Sequence, residues 1–276
     1  MSPGSLMHQY ARFSLFVVSI FLLFFLAFRA YTDADRYIDI QTKLLQQKNT
    51  DQTIRQKVDA LLELLSAGWY DHYTQTKTTQ QTLEHQAAFF QHRSFIWFYY
   101  FLATVILFSA LYALLDLKTL LLFIAAASLV ALVAALFSPL LLMSVGKQLP
   151  ILGEVILSYE SKSIVSTIMK LFKQHNYLIA SIILLFSVSI PFLKAILMLT
   201  YGLFQETGMM RRTARWIEKA GKWSMADVFI VAILVVFFST NQDIHTTMQI
   251  APGLYFFVTY VLLSILGTML ITQKER

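Results

Sequence analysis

Residues Phe13 to Phe28 have the sequence FSLFVVSIFLLFFLAF and contain no charged side chain. A helix needs roughly 20 mostly apolar residues to cross about 30 Å of hydrocarbon. With its flanking residues, this run predicts a first transmembrane helix over residues 13–30. A cleaved signal peptide is the alternative, because Arg12 precedes the run and small residues lie at Ala27 and Ala30. In either case the segment that follows lies outside the membrane.

Five further apolar stretches follow along the chain. They predict transmembrane helices over residues 94–115, 119–143, 177–203, 223–240 and 252–272. The fifth of the six spans is short, since its strictly apolar part covers only 225–239. The predicted fold class is therefore an all-α polytopic membrane protein with about six transmembrane helices.

The composition excludes several classes of protein. Of 276 residues, 57% are hydrophobic and 14% are charged, whereas soluble domains carry about 25% charged residues. The mean hydropathy of +0.60 excludes a soluble enzyme and a disordered chain. The absence of cysteine excludes a disulfide framework, a zinc ribbon and a thiolate nucleophile. In a chain this apolar, the net charge of +6 indicates membrane topology and anionic lipid, so we predict no nucleic-acid partner.

The short loops predict the orientation, because cytoplasmic loops carry an excess of Lys and Arg. The loop over 204–222 contains five such residues, whereas the loop over 241–250 contains none. Both termini and the 204–222 loop are therefore predicted to face the cytoplasm, with Arg211, Arg212 and Arg215 as the main topology signals. Segment 144–176 opposes this orientation, since it would lie outside with four lysines: Lys147, Lys162, Lys170 and Lys173.

Residues 31–93 are the longest polar stretch, with seven Lys or Arg and eight Asp or Glu. Apolar residues recur at helical spacing from Ile54 to Leu65, and Gly68 is the one glycine. The pattern predicts an extracytoplasmic helical hairpin that turns near 68–73 and stands about 40–50 Å off the membrane. Its apolar stripe has two interpretations: a self-packed stalk, or a surface for docking, sensing or homodimerisation.

The other extracytoplasmic segment, 144–176, has a different pattern. Two short apolar runs broken by Gly153 are typical of a β-hairpin. Residues 163–173 then form an amphipathic helical stripe with Lys170 and Lys173 off it. Such a helix either lies in the membrane interface or caps the helix bundle.

Two charged residues lie at membrane depth, where a charge costs about 2.5–3.5 kcal/mol on insertion scales. Lys194 follows Pro191 on the same face of the fourth span, and Asp227 lies in the first turn of the fifth. Asp227 fits a capping box with Ser224, and Lys194 can extend toward the headgroups. The sharper hypothesis is that Lys194 and Asp227 form an ion pair between antiparallel spans.

The sequence contains no constellation typical of an enzyme. It has no Gly-rich phosphate loop, no HExxH and no GxSxG motif. His85 and His92 are seven residues apart, which is not the dense spacing of a metal site. We therefore predict no catalytic residues, no metal and no cofactor.

Three motifs carry a resemblance to a known family. Residues 218–229, EKAGKWSMADVF, resemble the G-[RK]-W-S-M-x-D-V-[FY] signature of the paraquat-inducible protein A (PqiA) family. Residues 189–194, SIPFLK, resemble a family helix that ends in P-x-x-K, and residues 251–253, APG, resemble the start of its last span. The resemblance covers about 119–273, so the chain divides into a two-span unit over 1–118 and a four-span module over 119–276.

The resemblance implies a multi-pass protein of the bacterial inner membrane that handles phospholipid. It also implies a periplasmic partner with mammalian cell entry (MCE) domains. The residues it marks as a polar cluster are Pro191, Lys194, Gly221, Lys222, Trp223, Ser224, Met225, Asp227, Pro252 and Gly253. The sequence departs from the family pattern by having one module, no cysteine ribbons, and the hairpin unit in place of the first module.

Three functions are consistent with these sequence features to different degrees. The first is a component of an MCE-type lipid transport system that maintains the cell envelope. The second is a membrane-anchored sensor or scaffold that binds a periplasmic partner through residues 31–93, although no output domain is visible. A small-solute transporter is disfavoured, because the four-span module has two intramembrane charges and no clear internal repeat.

Overall fold

A computed structural model describes residues 3–47, 72–149, 153–203 and 246–275. The chain begins with a long helix, α1 (Pro3–Gln47), and a second long helix, α2 (His72–Leu115), packs antiparallel to it. As predicted, each helix continues without interruption from the membrane span into the hairpin. The turn expected near 68–73 and the stripe from Ile54 to Leu65 lie outside the described residues, apart from the start of α2.

The described part of the hairpin forms a small core of its own. Tyr37, Ile40 and Leu44 of α1 are buried together with Ala87 of α2, and partly buried side chains pack around them. These apolar residues therefore satisfy one another within the hairpin. The stripe from Ile54 to Leu65 is not part of this core, so its two interpretations both stay predictions.

Helix α3 (Leu117–Phe137) is the most buried of the long helices. Asp116 caps its first turn by accepting a hydrogen bond from the Lys118 amide at 3.2 Å. The predicted span to residue 143 is six residues too long, because the helix ends at Phe137. Ser138 is extended at ψ 146°, as expected for a residue that precedes a proline.

After α3 the chain enters a three-stranded antiparallel sheet. It consists of β1 (Leu141–Leu149), β2 (Gly153–Lys162) and β3 (Thr246–Ile250) in the order β2-β1-β3. The β1–β2 pair is the predicted hairpin, with a bulge between Val145 and Gly146. Strand β3 is new, since residues 241–250 were predicted only as a loop.

After the sheet come a short helix and then a membrane span that is interrupted by a π-helical turn. Ser163 and Ser166 form a capping box at the start of α4 (Ile164–Lys173). The next span consists of α5 (Tyr177–Leu184), a π-helical turn (Leu185–Ser189) and α6 (Ile190–Leu203). Pro191 accounts for the turn, because it lacks an N–H and its ring crowds the carbonyl four residues earlier.

Helix α7 (Pro252–Glu275) completes a bundle with α3 and α6 through close glycine contacts. A Cβ on Gly202 would lie 2.7 Å from the Leu122 side chain, and one on Gly267 would overlap Met198. Helices α6 and α7 run parallel, because Pro191 contacts Tyr260 and, seven residues later in both helices, Met198 contacts Gly267.

Because α3 runs antiparallel to α7, Leu203 and Thr246 lie at opposite ends of this bundle. The described residues contain five helices long and apolar enough to span a membrane. The predicted span over 223–240 lies outside them and stays a prediction. A single span between Leu203 and Thr246 has to run from one end of the bundle to the other, and these two residues do lie at opposite ends.

One continuous core joins the two predicted units. Phe98 and Phe101 of α2 contact Phe256 of α7 with ring centroids 5.0 and 5.1 Å apart. Farther along α2, Tyr112 contacts Phe123 of α3 at 5.2 Å. The two-span unit therefore packs directly on the four-span module through aromatic side chains.

Candidate functional site

The buried face of α6 carries a lysine at membrane depth. Pro191, Lys194, Ala195, Met198 and Tyr201 recur at helical spacing and are all buried. The Lys194 residue is 1% exposed, so its side chain is enclosed by protein. This excludes the alternative in which Lys194 extends to the headgroups. A cation held inside a bundle of spans is the kind of group that marks a functional site.

A hydroxyl of α7 is hydrogen-bonded to this face of α6. The Tyr260 hydroxyl of α7 donates to the Pro191 carbonyl at 3.3 Å, and both residues are buried. Ser264 lies one turn beyond Tyr260, and its hydroxyl has no hydrogen-bond partner among the described residues. Tyr260 and Ser264 were not predicted from the sequence, although polar residues inside an apolar span are a detectable signal.

The structure gives Pro252 and Gly253 a place away from Lys194. The Gly253 amide donates to the Pro139 carbonyl at 3.0 Å, and a Cβ on Gly253 would lie 2.6 Å from that oxygen. The Ala251 amide also donates to the Leu140 carbonyl at 3.0 Å. These contacts make the Ala-Pro-Gly motif a tight joint between α7 and the end of α3.

The remaining predicted positions lie in the segment 204–245, outside the described residues. Their roles in a polar cluster or in topology stay predictions for Arg211, Arg212, Arg215, Gly221, Lys222, Trp223, Ser224, Met225 and Asp227.

A separate polar cluster, which was not predicted from the sequence, joins α1 to α2 at the end of the predicted first span. We call Asp33, Arg93 and Trp97 the Asp33 cluster. The carboxylate of Asp33 accepts hydrogen bonds from Arg93 Nε and Trp97 Nε1, both at 3.0 Å. The Arg29 guanidinium lies over the Trp97 ring at 5.6 Å. This arrangement neutralises the buried carboxylate and fixes the register of the hairpin.

An apolar groove lies between α1 and α3 and has a volume of about 410 Å³. Ala27 and Ala134 form its buried floor, and large exposed side chains form its walls. Almost all of the lining surface is carbon. The lining residues are Phe24, Ala27, Phe28, Tyr31, Leu129, Val130, Val133, Ala134 and Phe137.

The described residues contain no group of three His, Cys, Asp or Glu side chains that could hold a metal ion. The polar groups that the structure brings together are one buried lysine, buried hydroxyls and the Asp33 cluster.

Long apolar helices around a buried lysine define a helical multi-span membrane protein. The pattern of the family described as "Paraquat-inducible protein A" matches residues 118–275, which is more than half of the chain. The chain therefore belongs to the PqiA family. This confirms the resemblance, and the matched range agrees closely with the expected 119–273.

A curated relative supports the same family. The chain is 29% identical over 117 residues to "Lipophilic envelope-spanning tunnel protein A" of Escherichia coli (strain K12). The matched part is 39% of this chain and 26% of the relative, so the chain corresponds to about a quarter of that protein's length. No solved structure matches the chain.

Proposed function

We propose that this protein is a non-enzymatic component of an envelope lipid transport system and handles phospholipid at the bacterial inner membrane. The observation that carries the proposal is the apolar groove between α1 and α3. The relative from Escherichia coli supports it, since its name describes a lipophilic tunnel that spans the envelope.

The groove has the chemistry of an acyl-chain site. Its volume of 410 Å³ falls within the range of about 300–1,000 Å³ that is usual for small-molecule sites. Its walls include Phe24, Phe28 and Phe137, whose rings are half exposed, and its floor is made of alanines. An apolar groove between two membrane spans selects hydrocarbon, because a polar solute would lose its hydrogen bonds there.

The groove also lies at a distinctive place in the chain. Its α1 wall belongs to the segment before the family match, whereas its α3 wall belongs to the matched region. The hairpin unit therefore completes a site that the four-span module alone does not form. This supports a lipid role that depends on both units.

The matched pair Val133→Trp and Val258→Trp tests the proposal. Val133 lines the groove and Val258 lies on α7, and both residues are 36% exposed. The full-length variants are purified in mild detergent, and their retained phospholipid is measured by mass spectrometry. We expect Val133→Trp to lose most of the bound lipid because the indole fills the groove, while Val258→Trp matches wild type. Equal retention by the two variants contradicts the groove as a lipid site.

The partner and the orientation belong to the same proposal. We infer that both termini face the cytoplasm, that the α1–α2 hairpin and the sheet face the periplasm, and that an MCE-domain protein docks on that side. Cysteines introduced at Asp35 and Gln174, in a chain that has none, test the orientation by labelling with an impermeant maleimide. Labelling of both in intact spheroplasts supports the proposal. Labelling only after lysis contradicts it.

A further inference from the structure

The corner between α4 and α5, residues 170–179, is a positively charged and well-packed part of the structure at the end of the bundle. Lys170 and Lys173 lie in the last turn of α4 and are exposed to the surroundings. The same helix is anchored from its other face, since Ile168 is buried and Ile164 packs against the main core. The lysines are therefore held in place by a docked helix.

The backbone of the corner is closed by hydrogen bonds. The amides of Gln174, His175 and Asn176 donate to carbonyls of the last turn of α4 at 3.0–3.1 Å. His175 has φ 61°, an uncommon value for a residue other than glycine, and its Nδ1 lies 2.8 Å from the Tyr177 hydroxyl. Phe172 contacts the same tyrosine at 6.2 Å between ring centroids. The corner thus presents lysines, histidine and tyrosine in a fixed arrangement.

Apolar surface continues directly from the corner along the span. Tyr177, Leu178 and Ile179 are all more than half exposed at the start of α5. A tyrosine followed by exposed aliphatic residues is typical of the level where headgroups meet acyl chains. The lysines lie on the polar side of that level, so the corner matches a molecule with an anionic head and a hydrocarbon tail.

The charge pattern also needs an explanation that topology does not supply. Residues 161–205 contain no Asp or Glu. With the orientation proposed above, the lysines of segment 144–176 lie on the side where Lys and Arg are usually scarce. A ligand that needs positive charge on that side explains why they are there.

We propose that the α4–α5 corner binds the phosphate of an anionic phospholipid in the extracytoplasmic leaflet. Lys170 and Lys173 face the phosphodiester, and the acyl chains lie against Leu178 and Ile179. An acidic surface of a partner protein would match the charge of the two exposed lysines but would leave the exposed start of α5 uncovered. The proposal rests on the proposed function only for the choice of leaflet.

The test compares two double variants with the same change in net charge. Lys170→Gln with Lys173→Gln removes the corner charges, and Lys43→Gln with Lys77→Gln removes two exposed lysines on the hairpin. Full-length proteins in neutral detergent are titrated with phosphatidylglycerol and, separately, with phosphatidylethanolamine of the same acyl chains. Native mass spectrometry reports the bound lipid, and a thermal unfolding curve checks that each variant is folded.

We expect wild type and the hairpin variant to prefer phosphatidylglycerol, and the corner variant to lose that preference by on the order of tenfold. Lys173→Gln alone should lose about fivefold and decides the question if the double variant does not fold. The proposal is overturned if wild type shows no preference, if both double variants lose it equally, or if the corner variant keeps it. Val133→Trp should keep the preference, which separates this site from the groove.

Discussion

The α1–α2 hairpin and the bundle of α3, α6 and α7 bury charge in opposite ways. In the hairpin, Asp33 is enclosed beside Arg93, whose side chain remains 34% exposed, and the charge is neutralised at the membrane edge. In the bundle, Lys194 is enclosed at membrane depth on a face otherwise made of apolar and aromatic residues. The Asp33 cluster holds two helices in register. Lys194, in contrast, lies on a face where an apolar side chain would pack equally well, which indicates a functional role.

The packing of the two regions differs in the same sense. The most apolar stretches of α3 and α7 are 72% and 50% buried within the protein, against 28% for α1 and 22% for α2, while the span that contains α6 is also 22% buried. The bundle achieves close contact through glycine and alanine, which let helix backbones approach in a membrane. The hairpin helices are less buried than α3 and α7, so specific polar contacts contribute a larger share of the hairpin's stability. This difference predicts a graded series of stability losses, with the largest at the Asp33 cluster and the smallest at Lys194.

Replacing Asp33 with alanine should give the largest loss, about 2–4 kcal/mol of unfolding free energy. The Arg93 and Trp97 donors would keep their positions without an acceptor, and breaking a buried pair from one side is costly. Unfolding in a detergent–denaturant titration measures the change. The control is Asp39→Ala, which breaks the exposed 2.8 Å pair with Lys43 and should cost about 0.3–0.5 kcal/mol. Similar losses for the two variants would show that Asp33 does not hold the hairpin together.

In the bundle, Gly253→Ala should lower stability by about 1–3 kcal/mol, because the new methyl group meets the Ser138 and Pro139 backbone. Gly202→Ala is the matched comparison. Its methyl group meets the Leu122 side chain, which can rotate away, so the loss should stay below about 1 kcal/mol. The same titration measures both variants. A larger loss for Gly202→Ala would mean that the joint at Pro139 is not rigid.

A hydrogen bond inside the membrane should contribute less than either of these features. Ser19 and Tyr112 are buried with their hydroxyl oxygens 3.2 Å apart. Tyr112→Phe should cost about 0.6 kcal/mol, the average for such bonds between membrane helices. Tyr99→Phe, at an exposed position on the same helix, should show no change. A loss above about 2 kcal/mol at Tyr112 would place the main hairpin contact inside the membrane instead of at Asp33.

Replacing both members of the proposed Lys194–Asp227 pair, by Lys194→Met with Asp227→Leu, should have the smallest effect on stability and the largest on function. Replacing a buried ion pair with apolar residues of similar size is often neutral or stabilising. We expect unfolding within about 1 kcal/mol of wild type and loss of envelope lipid handling in a complementation assay. A functional double variant would contradict the distinction between the two buried charges.

The proposed ion pair of Lys194 with Asp227 has its own test. Lys194→Ala and Asp227→Ala should each impair function, and the double variant should be no worse than the worse single variant. Simple addition of the two defects would remove the pairing hypothesis while leaving a separate role for Lys194.

The apolar spans were predictable because hydrocarbon thickness imposes their length. The continuation of α1 and α2 beyond the membrane was predictable because residues 31–93 contain no proline and one glycine. The end of α3 was not predictable, because Leu140 to Met143 are as apolar as the helix before them. A short apolar run does not distinguish a helix from a strand. Strand β3 depends on pairing with β1, about 100 residues away in the chain.

The candidate functional residues likewise divide into those that the sequence predicts and those that it does not. Pro191 and Lys194 were predictable, because a proline and a charge stand out within an apolar run. The Asp33 cluster was not, since its hydrogen bonds join residues 60 and 64 positions apart. Finding it requires the register of two antiparallel helices, which the turn sequence does not determine. The groove was not predictable either, because it depends on how α1 packs against α3.

Photocrosslinking with a phospholipid that carries a diazirine on its acyl chain tests most directly whether the groove between α1 and α3 holds lipid. Wild-type protein in lipid nanodiscs is irradiated and digested, and the labelled peptides are mapped by mass spectrometry. We predict labelling concentrated on residues 24–31 of α1 and 129–137 of α3. Uniform labelling that is equally strong on the exposed faces of α2 and α7 would show that the groove holds no lipid in preference to the rest of the membrane surface.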